Sequence, residues 1–281
     1  MKKIVVTGGA GFVGSHLCKK LVDLGHHVTS IDNYSTGSFN NHVTGAFYFN
    51  RDISNMKEIS GLFEDVDVVF HLAALARIQP SFHFPSEYFQ SNVQGTFNLC
   101  EICKKNNISI IFSGSSSHHS GKFKNPYTFM KDVSEEMLIL YHKIYGLNQS
   151  IARFYNVYGP NHIEVGEYST VIARWDKAHR EKKSITIYGD GSKERDFTHV
   201  EDIVEGLIKI WQTQSYGHTF ELGRGRKFSL KEVAEMYRPS FGIVYEPDKK
   251  GEAQSVLCDS SLAKQILNWE PRFNLEDWIL K

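Results

Sequence analysis

The chain has 281 residues, with 32 lysines and arginines balanced by 32 aspartates and glutamates, so its formal net charge is zero. That length suits one large core, or a nucleotide-binding core with a smaller lobe, and the balanced charge argues against a nucleic-acid-binding protein. No apolar run approaches the roughly 18 residues needed to cross a bilayer, and glycines end the short apolar run near Met1, so we expect a cytoplasmic protein without a membrane segment.

The first half of the chain alternates strand-like and helix-like segments. Apolar spacing predicts a helix over residues 12–24, and β-branched or aromatic runs predict strands at residues 4–7, 27–31, 46–50, 67–71 and 109–113. Strands that alternate with helices predict an α/β fold, with a doubly wound parallel sheet of the Rossmann type.

A glycine-rich loop follows the first predicted strand. Residues 7–14 read Thr-Gly-Gly-Ala-Gly-Phe-Val-Gly, so Gly8, Gly11 and Gly14 are spaced as in a dinucleotide-binding turn, with Phe12 and Val13 opening the helix. Glycines let backbone N–H groups approach a pyrophosphate, and the helix N-terminus favours an anion. A tight turn without a ligand would look similar, but the strand before it and the helix after it are the context that the motif requires.

Asp32 ends the second predicted strand, 18 residues after Gly14. A carboxylate there accepts hydrogen bonds from the adenosine ribose and repels the 2′-phosphate of NADP, so the sequence favours NAD. The alternative is a simple turn, because polar and small residues follow at Asn33, Ser35, Thr36 and Gly37. We expect these residues to contact the cofactor as well.

The third and fourth predicted strands also end in candidate cofactor contacts. Ligands of open α/β sheets bind at the carboxyl ends of the strands. That rule selects Asp52 and Ile53 after the third strand, with Asp52 facing the adenine. It selects Leu72, Ala73 and Ala74 after the fourth, where small side chains permit a close approach.

Cysteine and histidine pairs occur where the chain could suggest a metal. Cys100 and Cys103 form a lone CxxC pair inside a predicted helix, with no second pair to complete a zinc site. His118 and His119 have no carboxylate or cysteine near them in the sequence. We therefore predict no metal site.

Tyr127 and Lys131 lie four positions apart on a predicted helix, so their side chains share a face. A cation about 4 Å from a phenol contributes on the order of 4 kcal/mol at an effective dielectric near 20, which would lower the pKa of tyrosine from roughly 10 toward about 7. The pair therefore predicts a general base, although surface helices also carry this spacing. The fifth predicted strand ends in a Ser-rich segment, residues 113–117, where a hydroxyl could bond a substrate oxygen.

The second half is less regular and rich in turns. It carries predicted helices near residues 171–180, 230–236 and 260–267. Thr198 and Glu201 have the spacing of a capping box, which predicts that a helix opens there and runs over residues 201–211.

These motifs together resemble the extended short-chain dehydrogenase/reductase family, and within it the NAD-dependent nucleotide-sugar epimerases and dehydratases of the UDP-glucose 4-epimerase type. The resemblance spans nearly the whole chain, from the glycine loop to Asn268-Trp-Glu-Pro271. Its further blocks are His71-Leu-Ala-Ala74, Asn92-Val-Gln-Gly-Thr96, Pro126-Tyr-Thr-Phe-Met-Lys131, Arg153-Phe-Tyr-Asn-Val-Tyr-Gly-Pro160 and the segment from Ile187 to Phe197.

The resemblance implies a role for each matching residue. Tyr127 would be the base, and Lys131 would set its pKa and bind the nicotinamide ribose. A serine would complete the triad: counting from the strand selects Ser115, counting back from Gly121 selects Ser116, and we predict Ser115. Asn156, Arg195 and Lys249 would contact the diphosphate of the substrate. Further cofactor contacts are implied at Ala76, Asn92, Ser113 and Tyr155.

Three departures from the family pattern stand out. The loop between the serines and Tyr127 is short. The acid–glutamate pair that dehydratases carry after the triad serine is replaced by Ser117-His118-His119, which disfavours elimination. Lys249 stands where relatives have an arginine, so it keeps the charge but loses the forked donors.

The function implied by the resemblance is 4-epimerisation of a nucleotide-diphosphate sugar. Tyr127 would take the hydroxyl proton while a hydride passes from C4 to NAD, and the transient 4-keto sugar would turn over and take the hydride back on its other face. A 4-reductase or dehydratase of the same family is an alternative, as is a non-catalytic NAD-binding protein.

The same resemblance divides the chain into two parts and implies a homodimer. Residues 1–160, with 199–222 returning to them, would form the NAD-binding Rossmann domain, and residues 161–198 and 223–281 the nucleotide-sugar-binding lobe. The helix over residues 129–145 and the one near residues 88–103 carry apolar stripes wider than one buried face needs. Cover by the protein's own lobe or loops is one explanation. We predict instead that both helices pair with their copies in a twofold dimer, with Leu99 and Leu138 as test positions.

Overall fold

A parallel seven-stranded sheet forms the centre of the fold in the computed structural model, which describes residues 1–280. Its strands are β1 (Lys3–Thr7), β2 (His27–Asp32), β3 (Ala46–Asn50), β4 (Val68–His71), β5 (Ser109–Ser115), β6 (Gln149–Phe154) and β11 (Thr219–Leu222). They lie in the order β11-β6-β5-β4-β1-β2-β3, and every neighbouring pair is parallel. The order reverses between β1 and β4, and ligands of such sheets bind at the carboxyl edge beside that point.

Helices cover both faces of the sheet, as a buried parallel sheet requires. The helices are α1 (Phe12–Asp23), α2 (Met56–Ile59), α3 (Ile78–His83), α4 (Pro85–Tyr88), α5 (Gly95–Asn106), α6 (Pro126–Tyr145), α7 (Val171–Arg180), α8 (Val200–Gln212), α9 (Leu230–Met236), α10 (Ser261–Leu267) and α11 (Leu275–Ile279). One core is built around Leu17 of α1, Leu207 of α8 and Leu267 of α10. The core on the opposite face contains Leu99 of α5 and Leu138 of α6.

Outside the main sheet, short strands form three small sheets. These strands are β7 (Val157–Tyr158), β8 (Ile185–Tyr188), β9 (Glu194–Asp196), β10 (Thr198–His199), β12 (Lys227–Ser229), β13 (Ile243–Glu246) and β14 (Ser255–Val256). β10 pairs with β7, β13 with β8, and β9 lies between β12 and β14. A separate apolar cluster that includes Trp175, Phe197, Phe228 and Tyr237 packs among these elements, with its own buried aromatic core.

The α/β fold and the five predicted strands are confirmed, with ends that differ by two residues or fewer. The predicted capping box is wrong. Helix α8 begins after His199, whose side chain accepts a hydrogen bond from the Glu201 nitrogen, whereas Thr198 lies in β10. No helix within residues 1–280 is long and apolar enough to cross a membrane.

Candidate active site

The cavity at the carboxyl edge of the sheet joins most of the predicted site residues. Its volume is about 350 Å³. The residues of the predicted site that line it are Gly8, Gly11, Phe12, Val13, Gly14, Asp32, Asn33, Ser35, Thr36, Ile53, Leu72, Ala73, Ala74, Ala76, Ser113, Ser115, Tyr127, Lys131, Asn156 and Arg195. The glycine loop and the candidate base therefore share one continuous space.

The glycine loop is packed so closely that side chains would not fit. Gly8 has φ +74°, and a Cβ built on it would lie 2.7 Å from the Ala73 nitrogen. A Cβ on Gly14 would lie 2.0 Å from the Gly8 oxygen. Helix α1 begins after Gly11 without a side-chain cap and without an acidic residue in its first turn. The turn thus presents backbone N–H groups and the positive end of a helix to the cavity, as a pyrophosphate requires.

Asp32 is held by backbone amides at the end of β2. Its carboxylate accepts hydrogen bonds from the Ala10 nitrogen at 2.9 Å and the Tyr34 nitrogen at 2.8 Å. Burial raises the pKa of Asp32, while these two amides and the charge of His42 act to lower it. The carboxylate is therefore fixed in position beside the loop, where a ribose hydroxyl would meet it. Gly37 packs against this carboxylate from outside the cavity lining.

Asp52 lies in a smaller adjoining cavity, together with Asn33 and Ser35. Its carboxylate accepts a hydrogen bond from Asn33 Nδ2 at 2.9 Å. Hydrogen bonds from Ser54 and Asn33 lower the pKa of Asp52 against the opposing effect of burial. Asp52 therefore lies on the wall of the adjoining cavity and not on the wall of the main cavity.

Tyr127 and Ser115 meet in the middle of the cavity. Tyr127 lies in the first turn of α6, Ser115 is the last residue of β5, and both line the cavity. Burial raises the pKa of Tyr127, while the Ser115 hydroxyl and the Arg77 charge lower it. Of the two serines that the sequence allowed, Ser115 is the one whose hydroxyl acts on the pKa of the tyrosine, so it stays the predicted triad serine.

The ammonium of Lys131 is held by the backbone at the end of β5, and its predicted effect on the pKa of Tyr127 stays a prediction. Lys131 donates from Nζ to the Ser113 oxygen at 2.5 Å and lies over the Phe112 ring, 4.1 Å from its centre. Burial lowers the pKa of Lys131 to about 8, opposed by the charge of Glu135. Lys131 therefore lies at the Ser113 carbonyl, on the wall of the cavity that also contains Tyr127.

A buried ionic network lies behind the serine segment. Glu135 accepts from Arg153 Nη2 at 2.6 Å, and Arg153 Nη1 donates to Glu221 at 2.9 Å. The Glu135 carboxylate also comes within 3.4 Å of the Ser115 nitrogen. These contacts fix the end of β5, and with it the Ser115 hydroxyl, from the side opposite the cavity.

The two consecutive histidines are not without carboxylates, contrary to the expectation from local sequence. His118 Nδ1 lies 2.9 Å from an Asp132 oxygen, and His119 Nε2 lies 3.0 Å from a Glu221 oxygen. His118, Asp132 and Glu135 each bring a possible ligand atom to one place. The Arg153 guanidinium already neutralises Glu135, so the arrangement serves an ion-pair network better than a metal.

The far half of the cavity carries the predicted substrate contacts. Asn156 has φ +30° and donates from Nδ2 to the Asp196 oxygen at 2.7 Å. Arg195 Nη2 lies 3.3 Å from Glu252, a residue that the sequence did not single out. Both Asn156 and Arg195 line the cavity.

Besides Gly37 and Asp52, three more predicted contacts do not reach the cavity wall. Lys249 stacks over the Tyr188 ring, with Nζ 3.7 Å from its centre. The Asn92 side chain bonds both the nitrogen and the oxygen of Leu75, so it braces the loop after β4. Tyr155 is fully buried and donates to Glu221 at 2.7 Å.

Sequence reasoning missed Arg77, Tyr168, Thr170 and Glu252, which all line the cavity. Arg77 was detectable, because it is a charged residue six positions after the end of β4, at the edge where ligands bind. The other three come from loops far along the chain, and no local pattern marks them.

Known proteins resemble this chain over its whole length. Residues 4–223 match the NAD dependent epimerase/dehydratase family. The UDP-glucuronic acid decarboxylase 1 of Arabidopsis thaliana is 31% identical over 98% of this chain and 67% of its own length. Among solved structures, the Thermotoga maritima UDP-glucose 4-epimerase with UDP-glucose has a TM-score of 0.93 and 29% identity, covering 99% of this chain and 96% of that one.

A second solved structure contains both a cofactor and a substrate. It is the UDP-glucuronic acid 4-epimerase of Bacillus cereus in complex with UDP-glucuronic acid and NAD. Its TM-score is 0.90 at 28% identity, with 99% of this chain and 96% of that chain covered.

Proposed function

Because the chain belongs to the NAD-dependent epimerase/dehydratase family, with NAD as its cofactor, we propose that it interconverts UDP-sugars by 4-epimerisation through a transient 4-keto sugar. The observation that carries the proposal is that Ser115, Tyr127 and Lys131 line one continuous cavity with the glycine loop. The relatives named above act on UDP-sugars, and this supports the choice of nucleotide.

Tyr127 and Ser115 act on the C4 hydroxyl of the sugar. Tyr127, as the phenolate, accepts the proton of the C4 hydroxyl, and Ser115 holds the same oxygen by a hydrogen bond. NAD, which the glycine loop and Asp32 would hold, would supply a reversible hydride acceptor for C4. When the sugar ring presents its other face, Tyr127 gives the proton back to the C4 oxygen, so no proton or electron is lost in the cycle.

The part of the cavity that Arg195 and Asn156 line binds the diphosphate of the substrate. Arg195 carries forked donors suited to a diphosphate. In the structure it faces Glu252, so the carboxylate has to share or release the guanidinium when a diphosphate enters. Asn156 contributes from a left-handed backbone position held by Asp196.

The test is a panel of UDP-, GDP-, CDP- and dTDP-sugars incubated with enzyme and NAD. We expect a C4 epimer to form from a UDP-sugar, identified by NMR, without net reduction of NAD. Stoichiometric NAD(P)H consumption would indicate a 4-reductase, and a 4-keto-6-deoxy product a dehydratase. NAD binding without any product or isotope exchange at C4 would indicate a non-catalytic protein. Each of these outcomes contradicts the proposal.

A further inference from the structure

Arg77 has a strained backbone that packing holds in place. It precedes α3 with φ +108° and ψ 141°, a region that residues with a Cβ rarely occupy. The fully buried Tyr88 clamps this turn, since its hydroxyl lies 3.0 Å from the Arg77 oxygen and 3.3 Å from the Ala76 oxygen. The direction in which the Arg77 side chain leaves the backbone is therefore fixed before any ligand binds.

The guanidinium of Arg77 keeps most of its donors for a ligand. Within residues 1–280 its side chain makes one hydrogen bond, from Nε to the Tyr168 oxygen at 3.0 Å. The side chain lines the same cavity as Tyr127. The two Nη groups thus form a forked pair of donors in the cavity that contains the phenol, and neither has a protein partner in the described part of the chain.

Arg77 differs from the other arginine of the cavity because it has no ion-pair partner. Arg195 lies 3.3 Å from Glu252, whereas no carboxylate in residues 1–280 forms a salt bridge with Arg77. Both arginines line the cavity. The charge of Arg77 therefore remains without a counterion until a ligand supplies one.

The position of Arg77 assigns that remaining charge to the sugar. The proposed function places the C4 hydroxyl at Tyr127, and the neighbouring ring carbon, C5, carries the substituent that distinguishes a hexose from a hexuronic acid. A carboxylate there would lie beside the phenol, within the space that Arg77 shares with it. A guanidinium fork matches a carboxylate in shape and charge.

Resting on the proposed function for the placement of C4, we propose that Arg77 binds the C5 carboxylate of a UDP-hexuronic acid and makes this site selective for that class over neutral UDP-sugars. In this proposal Arg77 determines substrate specificity. Its contact with the C5 carboxylate is made in addition to the contacts of other residues with the diphosphate.

The experiment compares UDP-glucuronic acid with UDP-glucose, which differ only at C6. Calorimetric titrations use the NAD-loaded Tyr127→Phe variant, so that no turnover disturbs binding. We expect UDP-glucuronic acid to bind about 10- to 100-fold more tightly, as loss of a hydrogen bond to a charged group would predict. When Arg77→Met is combined with Tyr127→Phe, the preference should disappear, because only the affinity for UDP-glucuronic acid falls.

Two further variants separate the proposal from general effects. Arg77→Lys keeps the charge without the fork, so it should retain part of the preference. Arg174→Met removes a cation whose side chain does not line the cavity, and it should weaken the binding of both ligands equally. NAD affinity and thermal unfolding of each variant report whether the fold is intact.

The outcomes distinguish this inference from the proposed function. Equal affinities for the two ligands, or equal weakening of both by Arg77→Met in a folded protein, would overturn the role of Arg77 even if epimerisation of neutral sugars is found. An enzyme that selects UDP-glucuronic acid through Arg77 but forms no C4 epimer would keep this inference and overturn 4-epimerisation.

Discussion

Ser115 and Ser116 are adjacent and both line the cavity, but it is the Ser115 hydroxyl that lowers the pKa of Tyr127. Removal of that hydroxyl therefore raises the pH at which Tyr127 becomes a base. We expect Ser115→Ala to lower kcat/KM about 10- to 100-fold and to move the rising limb of its pH profile upward. Ser116→Ala is the matched control and should behave as wild type. A reversed order of the two variants would reassign the triad serine.

Tyr127 itself gives a simpler prediction. Tyr127→Phe keeps the ring and removes the proton acceptor, so turnover should fall by about a hundredfold or more while NAD affinity stays within about twofold of wild type. Product formation and cofactor titration measure the two effects separately. A variant that keeps most of its activity would show that another group is the base.

Asp32 sets the expected choice of cofactor. Its buried carboxylate is fixed by the Ala10 and Tyr34 amides, and it would repel a 2′-phosphate at the ribose. We expect NAD to bind at least about tenfold more tightly than NADP, and Asp32→Asn to narrow that ratio. Asp52→Asn, in the adjoining cavity, is the control and should leave the ratio unchanged. Equal affinities of the wild type for both cofactors would remove Asp32 from this role.

Among the elements, the strands of the first half were predictable and β6 and β11 were not. Strands β1, β4 and β5 have continuous apolar or β-branched runs, which a strand buried on both faces requires, and the aromatic run of β3 marks that strand although it lies at the edge of the sheet. Strand β6 begins with Gln149 and Ser150, which are fully buried polar residues. They interrupt the apolar pattern by which a buried strand is recognised in a sequence. Strand β11 is short and contains Glu221, whose carboxylate serves the ionic network.

The site could be predicted where it is local and not where it depends on tertiary contacts. The glycine loop, Asp32 and the Tyr127 helix are each marked within a few residues. Tyr155 and Asn156 are neighbours in the sequence, but the cavity receives only the asparagine, because the tyrosine side chain packs into the cluster around Cys258. Lys249 was predicted to contact the diphosphate, but its loop places the ammonium over the Tyr188 ring, and no local pattern indicates this.

His71 connects three elements and gives a prediction about stability. At the end of β4, its ring nitrogens lie 2.9 Å from the hydroxyls of Thr7 in β1 and Thr96 in α5. Burial, with a contribution from the Lys131 charge, lowers the pKa of His71 from 6.5 to about 3. Below pH 6.5 the unfolded chain takes up a proton that the folded chain does not, so the free energy of unfolding falls as the pH falls toward 3.

The test compares wild type with His71→Gln, which can still bond both threonines. Between about pH 7 and pH 5 the wild type should lose about 2 kcal/mol of unfolding free energy that the variant does not lose. Urea unfolding at each pH measures the difference in unfolding free energy between the two proteins. The contributions of the other histidines are the same in both proteins and cancel in this difference. Parallel pH dependences for the two proteins would mean that His71 titrates normally in the folded chain.

At the scale of the whole molecule, the two helices proposed for a dimer lie side by side, but the test positions chosen from the sequence are wrong. Leu99 and Leu138 are fully buried in the core beneath α5 and α6, so charges there would unfold the protein. The outward faces instead expose Phe97 at 40%, Leu140 at 53% and Ile144 at 64%. Exposed apolar side chains on adjacent helices are typical of an interface.

The dimer therefore remains a prediction, now with positions that can test it. A twofold contact repeats the same patch on both subunits, so one charge on α5 or α6 enters the interface twice. We expect wild type to sediment as a dimer, and Phe97→Glu and Leu140→Glu to sediment as folded monomers. Phe241→Glu is the control, because Phe241 is 58% exposed and lies on neither helix, so it should remain dimeric. A wild type that sediments as a monomer across a concentration series would refute the prediction, and dimeric Phe97→Glu and Leu140→Glu variants would place the interface elsewhere.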